Sequence, residues 1–289
     1  PKGTAFTAKR RKARQRLIEM ANNMLGTQLT DDVLMVSTSG RYEYRNKGID
    51  VFIESMHRLK YDSRLEHDIL AFVMVPGCER QSWHEGRVTM VFLPFYLTGF
   101  DGQLNLAYYD ALIGNDLCIY PSYYEPWGYT PLEAVAFKVP CITTDLAGFG
   151  LWVKDHYQGK KPLCGISIVE RDDFNYDQVV DKVADCILRF CAMSGEEAAL
   201  SAASAREVAS LALWENNISF YKTAYDMAIN KVIEHFGAYP LLQEDSDQGY
   251  RKQMANRPNW NNIQVNRALP ERLKALEDIS KNLWWCWNE

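Results

Sequence analysis

Short apolar runs rich in β-branched residues alternate along the chain with longer stretches whose apolar positions recur at spacings of three and four. This is the pattern of a parallel sheet with crossover helices. It predicts strands at VLMVSTS (33–39), ILAFVMVP (69–76), VTMVFLPFY (88–96), LCIYPS (117–122), CITTD (141–145) and GISIVE (165–170). Runs this uniformly apolar suit strands buried on both faces. Helices fit 48–59, 104–113, 130–137 and 151–157, each short enough to make one crossover. The βα order throughout predicts an α/β fold built on a single Rossmann-like, doubly wound parallel sheet. From Tyr176 the sheet pattern ends, and helical stretches at about 176–193, 195–211 and 214–236 should pack on or beside the sheet.

The two ends read differently. Lys9, Arg10, Arg11, Lys12, Arg14 and Arg16 precede an apolar face of Leu17, Ile18, Met20 and Leu25, which makes the start a basic amphipathic helix. Such a cluster can grip nucleic acid or membrane, but a solvated helix face is its ordinary meaning. Near the other end, residues 243–265 are polar, unpatterned and read as a linker. The stretch 266–289 then turns apolar and helical again and carries Trp284, Trp285 and Trp287. Residues 1–242 are thus expected to form one domain.

Composition narrows the function. Hydrophobic residues make up 47% of the 289 positions, enough for a sizeable core, and 32 basic against 37 acidic residues give a net charge of -5. No global positive field exists to gather nucleic acid or anionic lipid, so neither partner is expected. The apolar run at 88–100 stops well short of the roughly 20 residues a spanning helix needs. Seven scattered cysteines in mostly apolar settings read as buried thiols of a reducing, cytoplasmic compartment.

Two segments carry chemistry. YPSYYEPWGYTPLE (120–133) lies where a buried strand ends and a helix begins, and in an open parallel sheet ligands bind outside the strand C-termini. Glu125 and Glu133 stand eight positions apart, with Pro126, Gly128 and Pro131 shaping the turn. Gly128 lets the backbone approach a ligand, and the amides of Gly128, Tyr129 and Thr130 sit where a helix N-terminus favours an anion. A carboxylate there can accept hydrogen bonds from sugar hydroxyls. At the end of the first strand, TSGRYEYRNKGID places Gly40 at a sharp turn and brings Arg41, Arg45 and Lys47 to the same sheet edge. Arg41 can take two phosphate oxygens in its planar fork, with Lys47 a compact charge beside it. Taken singly, these carboxylates and cations would read as surface charge; their shared sheet edge points to a diphosphate.

SGRYEYRNKG, PSYYEPWGYTPLEA, ITTDLAGFG and IVERDD together resemble the glycogen synthases of the fungal and animal type, over roughly residues 33 to 235. Those enzymes are retaining glycosyltransferases of family 3 with two facing Rossmann-like halves, the GT-B fold, and this chain is similar to their C-terminal, donor-binding half. The resemblance implies transfer of glucose from UDP-glucose or ADP-glucose to the non-reducing end of an α-1,4-glucan, with no metal or other cofactor. It assigns Arg41 and Lys47 to neutralising the leaving diphosphate, Glu125 to the transferred glucose and Glu133 to the donor's ribose. Gly40, Trp127, Gly128, Tyr129 and Thr130 fall in the loops that meet the nucleotide sugar. Tyr108, seventeen residues before Glu125, matches a tyrosine that stacks on the nucleobase; its other reading is a core aromatic of helix 104–113.

The departures matter as much. EVASLALWENNISFYKTAYDMAINKV keeps only scattered basic residues where the family carries an arginine-rich regulatory helix, and GCERQSWHEGR replaces a long insertion. The acceptor half, with its catalytic and glucan-binding residues, has no counterpart in this sequence, so the chain alone is expected to be poorly active or inactive. The tail 268–289 resembles the opening of bacterial α-glucan phosphorylase-like proteins, which implies a bacterial synthase–phosphorylase fusion, with the basic first helix as the hinge after the acceptor half. Two alternatives stand beside this reading: a nucleotide-sugar or glucan-binding module without catalysis, and another retaining transferase of the sucrose-synthase type.

Overall fold

The computed structural model describes residues 3–156 and 165–236. The expected linker, the tryptophan-rich tail, Cys164 and Cys286 lie outside the described residues. By packing, residues through Leu211 form one compact unit, and α8 (Trp214–Phe236) falls in another. Within α8, the Trp214 and Tyr221 rings meet at 5.0 Å.

The larger unit runs α1 (Thr4–Leu25), β1 (Leu34–Ser39), α2 (Ile49–Leu59), β2 (Ile69–Met74), β3 (Trp83–Glu85), β4 (Val88–Phe92), α3 (Tyr108–Leu112), β5 (Leu117–Tyr120), α4 (Tyr129–Ala136), β6 (Cys141–Thr144), α5 (Gly148–His156), β7 (Ile166–Val169), α6 (Tyr176–Cys191) and α7 (Gly195–Leu211). Its sheet has the order β3-β4-β2-β1-β5-β6-β7. All neighbours are parallel except β3, which lies antiparallel to β4. The chain therefore winds outward from β1 in one direction, returns, and winds outward from β5 in the other. This is a doubly wound α/β sheet whose order reverses between β1 and β5, the place where such sheets bind ligands.

The uniform apolar strands are explained by burial on both faces. Leu34, Val36, Ile69, Ala71 and Val73 point into the core under α2 and α6, while Met35, Leu70, Phe72 and Met74 point into a second core that includes Leu17 and Ile18 of α1. Alternate residues go to opposite faces because successive strand side chains do. A third core joins β5 and β6 to α4, α5 and α7 through Cys118, Cys141, Ala134, Phe149 and Ala205. Each large side chain so buried contributes about 1.5 to 3 kcal/mol of transfer free energy. Cys78, Cys118, Cys141, Cys186 and Cys191 are buried free thiols, as the sequence led one to expect.

Three expectations need correction. The helix expected over 104–113 begins only at Tyr108, because Asp101 Oδ1 accepts the amides of Gln103, Leu104 and Asn105 and Asn105 adopts a positive φ of 56°. The βα alternation breaks between β2 and β4, where the crossover carries the edge strand β3 instead of a helix. The basic face of α1 is not simply solvated. Arg10 and Arg14 both bind the carboxylate of Asp116, which also accepts the Met35 amide, and Arg14 reaches the Val33 carbonyl; Arg16 donates to the carbonyls of Gln103 and Leu104. Arg10 and Arg14 thus fasten α1 to the sheet, and Arg16 fastens it to the loop before α3.

Candidate active site

The two sequence segments meet at the switch point. After β1 the backbone turns through Gly40 (φ 151°) and reaches Gly48, whose φ of 66° caps α2. A Cβ at Gly48 would stand 2.0 Å from the Pro121 carbonyl oxygen, so only glycine lets this turn lie against the end of β5. The Tyr123 amide donates to the Asn46 carbonyl at 2.7 Å and sews the two loops together.

Beyond β5 and β6 the parallel pairing resumes in a single bridge, Glu125 to Ala147, with the Gly148 amide donating to the Glu125 carbonyl at 3.0 Å. Gly148 is needed because a Cβ there would meet the Pro126 carbonyl oxygen at 2.2 Å. The LAGFG turn thereby holds the backbone of Glu125 from behind. On its front, the Lys47 ammonium donates to Glu125 Oε2, and both side chains are largely withdrawn from water at 17% and 20% exposure. The expected cation and the expected sugar-facing carboxylate are in contact.

Arg41, by contrast, is 80% exposed and pairs with Glu43 at 3.2 Å. It stands on the same loop but outside the Lys47–Glu125 contact. Gly128 (φ 103°) caps α4, and the amides that open this helix have no acceptor within it because no preceding turn exists. Tyr129 is exposed. Trp127 turns the other way and packs against Phe149 and Trp152, with ring centroids at 6.0 and 5.9 Å.

Tyr108 and Tyr109, adjacent on α3, have different partners. The hydroxyl of Tyr108 shares a hydrogen bond of 2.9 Å with Ser39 Oγ at the end of β1, and burial raises its phenol above the usual range. Tyr109 donates to Glu133 Oε1 at 3.0 Å, and burial, reinforced by Glu133, pushes its phenol up to about 12. Burial likewise lifts the Glu133 carboxyl, opposed by the hydrogen bond from Tyr109.

Sequence reasoning assigned no role to Arg171 or Asp50. Arg171 is 8% exposed, donates to the Pro121 carbonyl and lies 5.3 Å from the Tyr123 ring centroid, while its amide binds Asp145 Oδ1. Burial lowers its guanidinium and raises the Asp50 carboxyl, and each charge partly restores the other. Arg171 thus braces the loop that follows β5. The IVERDD motif contained Arg171, but nothing in its spacing told where the side chain would point.

A family model described as glycogen synthase matches residues 24–83 and 78–268. The glycogen [starch] synthase of Caenorhabditis elegans is 31% identical over 148 residues, covering 51% of this chain and 22% of that protein. The Neurospora crassa glycogen [starch] synthase is 24% identical over 73% of this chain and 43% of its own length. The human liver glycogen [starch] synthase is 26% identical over 57% of this chain and 23% of its own length. The chain thus spans less than half the length of these relatives. Among solved structures, the catalytic domain of starch synthase IV from Arabidopsis thaliana, bound to ADP and acarbose, superposes with a TM-score of 0.49 and 14% identity, covering 75% of this chain and 43% of that one. WaaG, a glycosyltransferase of lipopolysaccharide biosynthesis, superposes with a TM-score of 0.45 and 19% identity, covering 70% of this chain and 46% of that one.

Proposed function

Because the chain belongs to the glycogen synthase family, we propose that it is the donor-binding half of a retaining hexosyltransferase, which passes glucose from UDP-glucose or ADP-glucose to the non-reducing end of an α-1,4-glucan. The observation that carries this reading is the contact of Lys47 with Glu125 at the strand ends where the sheet order reverses. A cation and a carboxylate from two different loops are held there side by side, next to a glycine-capped helix N-terminus.

Each part then has a task. When the bond between the anomeric carbon and the diphosphate breaks, its electron pair moves onto the diphosphate oxygen, and the charge that develops is met by Lys47, by Arg41 swung in from Glu43 and by the amides that open α4. Glu125, freed from Lys47, faces the positive charge growing at the anomeric carbon and takes hydrogen bonds from the glucose hydroxyls. Glu133 holds the ribose, and a tyrosine of α3 lies beside the base. The relatives' own lengths leave room for an acceptor half, and transfer needs donor and acceptor held together in a cleft with little water. The chain alone should therefore bind a nucleotide sugar and turn it over slowly or not at all. A cytoplasmic setting suits this substrate and the buried free thiols.

Calorimetry with UDP-glucose, ADP-glucose and UDP tests the reading and sets the preferred base. Binding at submillimolar concentration is expected for at least one of them; the absence of binding to all three overturns it.

A further inference from the structure

Glu133 faces no cation among the described residues, yet its carboxylate is not left to water. We propose that Tyr109 is a positioning residue for Glu133: its phenol holds Oε1 at 3.0 Å and so leaves Oε2 as the acceptor for the ribose hydroxyls of a nucleoside diphosphate. The phenol is itself held. Its ring packs on Tyr108 at 5.2 Å and on Phe137, the residue that ends α4, at 5.1 Å, so α3 and α4 grip it from two sides. Ordering the carboxylate before the ligand arrives removes part of the entropy that binding would otherwise cost.

The surrounding charges leave Tyr109 as the main partner. On α3, Asp110 pairs with Lys9 of α1. At the end of α4, Lys138 lies over the Phe6 ring, and from α7 Arg206 donates to the Ala136 carbonyl. The groups that couple to Glu133 are Tyr108 and Tyr109. Burial favours the protonated carboxyl of Glu133 and the Tyr109 hydrogen bond favours the ionised one, so loss of the phenol moves the proton on Glu133 to higher pH.

This role rests on the reading of Glu133 as the ribose-holding carboxylate, and one experiment separates the two. UDP and 2′-deoxy-UDP are titrated calorimetrically into the chain, into Tyr109→Phe and into Glu133→Gln, between about pH 5 and pH 8. Phenylalanine keeps both ring contacts, so the variant probes the hydroxyl alone. The unmodified chain should prefer UDP. Tyr109→Phe should weaken UDP at pH 8 by roughly two- to tenfold, the loss expected for one hydrogen bond. It should also narrow the preference over 2′-deoxy-UDP and shift the acid loss of affinity to higher pH. If Tyr109→Phe leaves the preference and the pH profile unchanged while Glu133→Gln abolishes the preference, the positioning role is overturned and the ribose reading stands. If the unmodified chain binds both nucleotides equally and Glu133→Gln changes nothing, the ribose reading falls and takes the positioning role with it.

Discussion

Glu125, in the loop before α4, and Glu133, within α4, are held in opposite ways. Glu125 meets the ammonium of Lys47 from a loop that begins at the neighbouring strand. Glu133, eight residues on, meets a neutral phenol from α3, and burial raises its carboxyl. The first contact is a charge pair that an arriving anion can rearrange, because a diphosphate competes with the carboxylate for Lys47. The second is a hydrogen bond from a neutral donor, which in the role proposed for Tyr109 would stay in place on binding. Two glutamates of one motif thus differ in their partners: in the proposed site the first would give up Lys47 to the diphosphate, and the second would keep Tyr109.

The largest effect should come from removing the cation. In the complete enzyme, Lys47→Ala should lower turnover about 100- to 1000-fold, the range measured when one donor to a developing anion is lost; a change under tenfold would mean that Lys47 only shields Glu125. Next, Gly48→Ala attacks the turn that holds Lys47 through its backbone. A Cβ 2.0 Å from the Pro121 carbonyl at a φ of 66° should cost about 2 to 4 kcal/mol in denaturant unfolding. A cost below 1 kcal/mol would show that the two loops are not locked together. Arg41→Ala should weaken UDP by about 1.5 to 3 kcal/mol, as for a lost hydrogen bond to a charged group. Since Arg41 is exposed on Glu43 in the free chain, unchanged affinity would place it outside the site.

The smallest effect concerns Glu133 without ligand. A carboxyl held above its ordinary value of 4.5 keeps its proton in the folded chain over a window where the unfolded chain has released it, so stability falls as pH rises through that window. Glu133→Gln should flatten this fall in the melting-temperature profile above pH 4.5. A profile as steep as that of the unmodified chain would assign the slope to Asp50, whose buried carboxyl is raised in the same direction.

Much of this was legible before any coordinates. Uniformly apolar runs announce strands covered on both faces, and Val36, Phe72 and Ile119 are indeed buried to the last atom. The glycines and prolines of the two segments marked turns at one sheet edge, and the edge brought Lys47 to Glu125. Other features had no local signature. That α3 is cut short depends on Asp101 capturing three amides, which an apolar period does not record. That Tyr108 meets Ser39 while Tyr109 meets Glu133 is set by which way a five-residue helix faces, and adjacent aromatics look alike in sequence. Trp127 lay in the motif but packs against the third core, beside Phe149 and Trp152 of α5.

The clamp of Arg10 and Arg14 on Asp116 spans 106 and 102 residues of chain. During synthesis the first helix therefore emerges long before the carboxylate that fastens it. At about 5 to 20 residues per second, roughly 5 to 20 seconds pass between the making of these arginines and that of Asp116, an interval in which Arg14 can already reach Asp31 and Val33 and the apolar side of α1 can already pack on β1 and β2. The order of translation thus closes the arginine clamp on α1 only after its apolar side has met β1 and β2.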